Sequence, residues 1–215
     1  YTGYLRRRVP IIGASPQLST PEDPFILVTA GGGGDGEGLM EWVLRAYEYD
    51  PDLPYPALLV LGPFMAQEKQ ADFIERANAL DRVQVITFDT RIESLMAKAA
   101  GMVSMGGYNT FCEILSFDKR ALIVPRTEPR LEQYIRAQRA EELGMISMLV
   151  DNGDRDPREM AKSLRRLPSQ PKPSEMFSSE ILGGLNYVNR LAKRWLKTNR
   201  ENRNAQELDR AHIAG

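Results

Sequence analysis

Six short apolar runs punctuate the chain, and each is followed by a segment whose apolar residues recur at helical spacing. Phe25–Ala30 reads FILVTA, a continuous apolar run ending in glycines, which predicts a strand buried on both faces. Further strands are predicted at Ala57–Leu61, Val83–Phe88, Met102–Met105, Ala121–Val124 and Ile146–Val150. The intervening segments read as helices: Leu39–Tyr49, with Leu39, Trp42, Val43 and Ala46 on one side, then Ala66–Ala79, Ile92–Ala100, Tyr108–Leu115 and Glu132–Leu143. Asp156–Leu167 is a helix behind Asp-Pro, and Glu175–Leu196 a longer amphipathic one. Strict alternation of this kind predicts an α/β fold with a doubly wound parallel sheet of about six strands. Four tracts follow: a linker at 1–24, an α/β domain at 25–174, a C-terminal helix at 175–196 and a polar, disordered tail at 197–215.

In such a sheet, ligands lie at the carboxyl ends of the strands, so the loops after the strands are where chemistry is sought. The first of them, TAGGGGDGEG, places Gly31, Gly33 and Gly36 in the spacing G-x-G-x-x-G. A nicotinamide site also requires an acidic residue ending the second strand. That strand instead ends in Gly62-Pro63-Phe64, and Asp50 and Asp52 precede it, at its wrong end. No Gly-Lys-Ser/Thr follows the glycines, which excludes a Walker-type loop. What remains is either a tight turn with no ligand or a backbone free to approach an anion at a helix start. Asp35 and Glu37 oppose the second, since each could cap the helix and would repel a phosphate.

Composition narrows the classes. The chain has 28 Lys+Arg against 29 Asp+Glu, which lacks the basic footprint of a nucleic-acid binder. No apolar run approaches the roughly 20 residues that span a bilayer. Cys112 is the only cysteine, which points to a reducing, cytoplasmic setting. The one histidine, His212, lies near the end of the chain, so neither a histidine base nor a His/Cys metal cluster is expected in the folded part. A chain that opens on Tyr1 with linker-like residues is expected to continue a longer protein whose first half precedes it.

Two further loops carry polar motifs. In Met105-Gly-Gly-Tyr-Asn-Thr-Phe-Cys-Glu113, Glu113 falls in the predicted first turn of a helix. It is either half of a capping box with Thr110 as N-cap or an acceptor for two hydroxyls of a vicinal diol. In Ala121-Leu-Ile-Val-Pro125-Arg-Thr-Glu-Pro-Arg-Leu-Glu-Gln133, a buried strand leads through a polar loop to a helix opening on Glu132 and Gln133. Together with Thr2, Gly3 and Arg7 and the glycine loop, these segments resemble the C-terminal, donor-binding half of GT-B fold glycosyltransferases. They are similar to the family of the lipid II-forming N-acetylglucosaminyltransferase, glycosyltransferase family 28. The resemblance runs in order from about Thr2 to Val150. Tyr4-Leu5 stands where the family commonly has Asn-Pro, and Glu132 where a second glutamine is common.

The resemblance implies a Rossmann-like domain and a transferase acting on a nucleotide diphosphate sugar, here a UDP-sugar, with no cofactor and no metal. Arg7, Gly32, Gly33, Gly34, Gly107 and Thr110 would hold the donor diphosphate. Phe88 and Asp89 would meet the base through backbone groups, Glu113 the ribose diol, and Glu132 and Gln133 the donor sugar. The catalytic base and acceptor site would belong to an N-terminal domain of the same protein, so this chain alone would bind donor weakly and transfer nothing. Membrane contact would be peripheral, at the inner face and through the acceptor. Arg6–Arg8 is either solvated or faces a lipid acceptor's diphosphate or a membrane surface. The last helix either covers the sheet or crosses to the partner domain, leaving Leu182, Leu185, Val188 and Leu191 partly exposed. Two other readings stand beside this one: half of a nucleotide-sugar 2-epimerase, against which the lack of a histidine in the folded region counts, and a non-catalytic nucleotide-binding or interaction module.

Overall fold

The computed structural model describes residues 3–8, 24–30, 35–89 and 91–213, with side chains described to Arg200 except at 179. The elements are β1 (Ile26–Thr29), α1 (Glu37–Tyr49), β2 (Ala57–Val60), α2 (Gln67–Asn78), β3 (Val83–Ile86), α3 (Ile92–Lys98), β4 (Gly101–Ser104) and α4 (Tyr108–Ser116). They continue with β5 (Arg120–Ile123), α5 (Glu132–Glu142), β6 (Ser147–Met148), α6 (Pro157–Arg166), the short α7 (Pro173–Met176) and α8 (Gly184–Ile213). The six strands form one parallel sheet in the order β3-β2-β1-β4-β5-β6. Chain direction across the sheet reverses between β1 and β4, and the crevice for a ligand opens above the carboxyl ends of those two strands.

Strands β1, β2 and β4 are buried at every residue, including the polar Thr29 and Ser104 that end β1 and β4. Alternate residues point to opposite faces. Ile26 and Val28 join a core with Trp42 and Val43 of α1, Phe73 of α2 and Met160 and Leu164 of α6. Leu27, Leu58 and Met102 are buried outside that cluster, on the side where α3 and α4 bury Leu95, Phe111 and Ile114. Each such side chain contributes about 1.5–3 kcal/mol when withdrawn from water. The Trp42 indole is buried with its N–H satisfied, donating to the Asp156 carbonyl at 2.8 Å, just where α6 begins. Tyr47 donates to the Tyr55 carbonyl at 2.8 Å, and burial pushes its hydroxyl pKa up. Outside the core, Arg76 of α2 bridges Glu41 at 2.7 Å and Glu48 at 2.9 Å, both on α1.

The chain divides into two compact units, Arg7–Phe177 and the described parts of Tyr1–Arg6 with Ser178–Gly215. The helix expected at Glu175–Leu196 is interrupted. A 3-10 turn at Ser179–Leu182 precedes α8, which begins at Gly184 and stays helical through the polar residues to Ile213. The interruption has a steric reason. Tyr4 donates to the Ile181 carbonyl at 2.7 Å and Gly184 donates to the Tyr4 carbonyl at 3.1 Å. A Cβ at Gly184 would meet the Gly3 and Tyr4 carbonyl oxygens at 2.8 Å, so only glycine admits the incoming strand there. Leu182 is buried, whereas Leu185, Val188 and Leu191 are exposed along α8.

Candidate functional site

Three cavities adjoin one another along the carboxyl edge of the sheet. The first, about 270 Å³, lies between the ends of β1–β3 and the face of α4. Its walls include Phe88 and Asp89 after β3, and Asn109, Thr110 and Glu113 from α4. The second, about 320 Å³, shares Asn109 and Thr110 with the first and adds Gly106, Gly107, Asp35 and Gln133. The third, about 240 Å³, shares Asp35, Met105 and Arg126 with the second and extends towards Asp151 and Arg155.

The loop after β4 shapes the middle of this groove. Gly106 has φ +70°, and a Cβ there would stand 2.7 Å from the Ile123 side chain. The loop is held from below, with the Gly106 N–H donating to Ser104 Oγ at 3.3 Å. It is also held from the side, where Arg136 donates to the Gly106 carbonyl at 2.9 Å and stacks over the Tyr108 ring at 5.6 Å. The N-cap of α4 is Gly107, in extended geometry and with no capping side chain. The capping-box expectation is therefore overturned. Thr110 is the third residue of the helix, and Glu113 lies in its second turn, three residues too late to serve the helix start. Glu113 instead lines the first cavity.

Glu113 is half-buried at the floor of the first cavity. Burial raises its carboxyl pKa first of all; the Arg7 charge opposes that rise and Glu93 adds to it. Arg7 belongs to the described segment 3–8. Its backbone N–H donates to Ser116 Oγ at 2.8 Å, and its guanidinium donates to Asn109 Oδ1 at 2.6 Å. Phe88 is 55% exposed and lines the same cavity as Asp89, whose Oδ1 accepts from the Arg91 N–H at 2.7 Å.

At the other end, Gln133 on the first turn of α5 lines the second cavity and accepts from the Arg126 N–H at 3.1 Å. Glu132 beside it is exposed and lines none of the three cavities. Gly32, Gly33 and Gly34 lie outside the described residues. Neither acid flanking that loop caps α1, whose N-cap is Gly36. Asp35 pairs with Arg126, and Glu37 pairs with Lys69 at 2.8 Å.

Two residues in the groove carry no role in the sequence reading. Asn109 joins the first two cavities and holds Arg7; its signal was its place inside the G-G-Y-N-T run. Arg126 joins the second and third, and its partner Asp35 is 91 positions away, which no local pattern announces. Among the described residues no three His, Cys, Asp or Glu side chains converge as a metal site, and no helix is long and apolar enough to cross a membrane.

Solved structures of the same architecture include CalG4, the calicheamicin glycosyltransferase, at 18% identity and TM-score 0.56, over 96% of this chain and 45% of that one. The glycosyltransferase VinC in complex with DTDP aligns at 20% identity and TM-score 0.59, over 84% of this chain and 43% of that one. MurG of Acinetobacter baumannii aligns at 16% identity and TM-score 0.51, over 74% and 50%. At such identities the likeness is one of fold, that of a Rossmann-like half of a GT-B enzyme. The chain spans about half the length of these proteins. No curated protein matches it. The glycosyltransferase family 28 C-terminal domain matches residues 25–194, which hold the whole sheet and every cavity described above, and the chain belongs to that family.

Proposed function

We propose that this domain binds the donor, a UDP-sugar, for a glycosyltransferase whose acceptor site and base lie in the remainder of the protein, a cytoplasmic enzyme that meets membranes only peripherally and through its acceptor. The observation that carries the reading is Glu113. A half-buried carboxylate shares a cavity with Phe88 and Asp89, and that cavity opens through Asn109 and Thr110 into a glycine-lined one. A nucleoside diphosphate has this sequence of parts: a flat base, a diol and two phosphates. The Glu113 carboxylate would accept from both ribose hydroxyls, while Phe88 and the Asp89 backbone meet the base.

In the transfer, an acceptor hydroxyl attacks the anomeric carbon of the sugar. The bond from that carbon to the β-phosphate oxygen breaks, and the nucleoside diphosphate leaves with the electron pair. The acceptor proton goes to the base supplied by the partner domain. The growing negative charge falls where Gly107, Thr110, Arg7 and the backbone of Gly32–Gly34 would stand, as preorganised dipoles and charge. Glu132 and Gln133 would bind sugar hydroxyls.

Calorimetric titration with UDP and with 2′,3′-dideoxy-UDP tests the diol. The dideoxy compound should bind roughly tenfold or more weakly, and Glu113→Ala should erase that difference. Equal affinity for the two nucleotides, or no UDP binding at all, would overturn the assignment. Robust UDP release from a UDP-sugar by this chain alone would overturn the division of labour between domains.

A further inference from the structure

We propose that Arg126 exchanges partners during donor binding: its guanidinium, held by Asp35, passes to a donor phosphate, and Asp35 thereby sets how tightly the groove holds phosphates. This rests on the donor-site reading and extends it to two residues that reading leaves without a role.

Asp35 directly precedes the N-cap of α1, and Arg126 follows β5 by way of Val124 and Pro125. Strand β4 lies between β1 and β5 in the sheet, so the Asp35–Arg126 pair spans the loop that carries Gly106 and Gly107. Both residues line the second and third cavities. An anion seated beside Gly107 therefore lies on the same wall as the guanidinium.

The bonding of Arg126 is incomplete in a way that suits an exchange. Guanidinium offers five N–H donors in a fixed fork. One Nη1 donor goes to Asp35, and the buried Nε has no partner among the described residues. Its backbone is fixed independently, by the bond to Gln133. The two side chains are 33% and 42% exposed, and an ion pair that open to water contributes little to stability, so it is readily traded. A diphosphate carries more charge than one carboxylate and can take the fork bidentately. The pair also accounts for an acid placed beside a phosphate-facing loop. While bound to Arg126, Asp35 is neutralised; once the guanidinium leaves, its charge opposes the phosphates.

A static strut between the two loops is the competing account, and the two differ in sign. Exchange predicts that Asp35→Asn tightens UDP binding several-fold, because the competitor and the repulsion are both removed. It predicts that Arg126→Ala weakens UDP about tenfold, that Arg126→Lys falls between, and that uridine binds all variants alike. A strut predicts that Asp35→Asn and Arg126→Ala weaken binding together and lower the melting temperature together. Calorimetry with UDP and uridine on the whole chain, with thermal melts of each variant, separates them. UDP binding that depends on Glu113 but weakens in both variants would overturn the exchange and leave the donor site standing. Failure of the unaltered chain to bind UDP would overturn both.

Discussion

The Arg7 guanidinium donates to Asn109 Oδ1 at 2.6 Å, tying the segment that enters the domain to the first turn of the helix that bears Glu113. One contact thus joins the segment before β1 to the helix that lines the first two cavities. Because the two residues act through each other, Arg7→Ala and Asn109→Ala should each weaken UDP several-fold. The double variant should lose little more than the worse single one. A double-mutant cycle by calorimetry checks this; additive losses would show two independent contacts.

Glu113 makes binding and stability respond to pH in opposite directions. Its folded-state pKa is raised by burial above that of the unfolded chain. The stability it contributes is therefore complete below the unfolded carboxyl range and is lost as pH rises through the raised value. Diol binding needs the carboxylate, so UDP affinity should climb across that same window. Glu113→Gln should flatten both profiles, leaving the protein at least as stable at neutral pH while UDP affinity falls about tenfold. Arg7→Ala should move the affinity midpoint to higher pH, since the Arg7 charge holds the Glu113 pKa down. Melting curves and titrations over a pH series test the pair of trends.

Adjacent glycines should separate folding from binding. Gly106→Ala forces a side chain into a left-handed conformation and against Ile123, and should cost about 1–2 kcal/mol in denaturant unfolding. Gly107 has φ −52° and ψ 153°, and a Cβ there meets nothing within 4 Å. Gly107→Ala should leave stability unchanged while its methyl group intrudes on the groove and weakens UDP. A loss of stability in the second variant without a loss of affinity would contradict the placement of the phosphates.

Away from the groove, Arg76→Ala should affect only stability. The residue spans Glu41 and Glu48 of α1 and also approaches Asp72 at 3.5 Å, all partly exposed. The cost should be about 1 kcal/mol at most and should shrink in high salt. UDP affinity should be untouched at any ionic strength where the two proteins are compared.

The sheet is legible in the chain because burial on both faces leaves an unmistakable trace. Runs such as FILV and ALLVL have no polar position to spare, and they make up nearly all of β1 and the whole of β2. The cap of α4 and the extent of α8 are less legible. Thr110 and Glu113 have the spacing of a capping box, yet the helix starts at Tyr108, as its apolar pattern predicts, with Gly107 as N-cap. Residues after Lys197 lack an apolar face, yet the helix propagates through them. Loop partners are the hardest to read, because Asp35 and Arg126, or Arg7 and Asn109, meet only once the sheet has set its strand order.

The strands are only four residues long in most of the sheet, and Thr29 and Ser104, the last residues of β1 and β4, are buried. The groove thus starts on the core itself: Thr29 lines the first cavity, and Leu39 and Val124, both buried, line the third. At these points the wall of the groove and the interior of the domain are one set of side chains. A substitution there is felt by folding and by the groove together, and only the loop positions farther out are free to change one without the other.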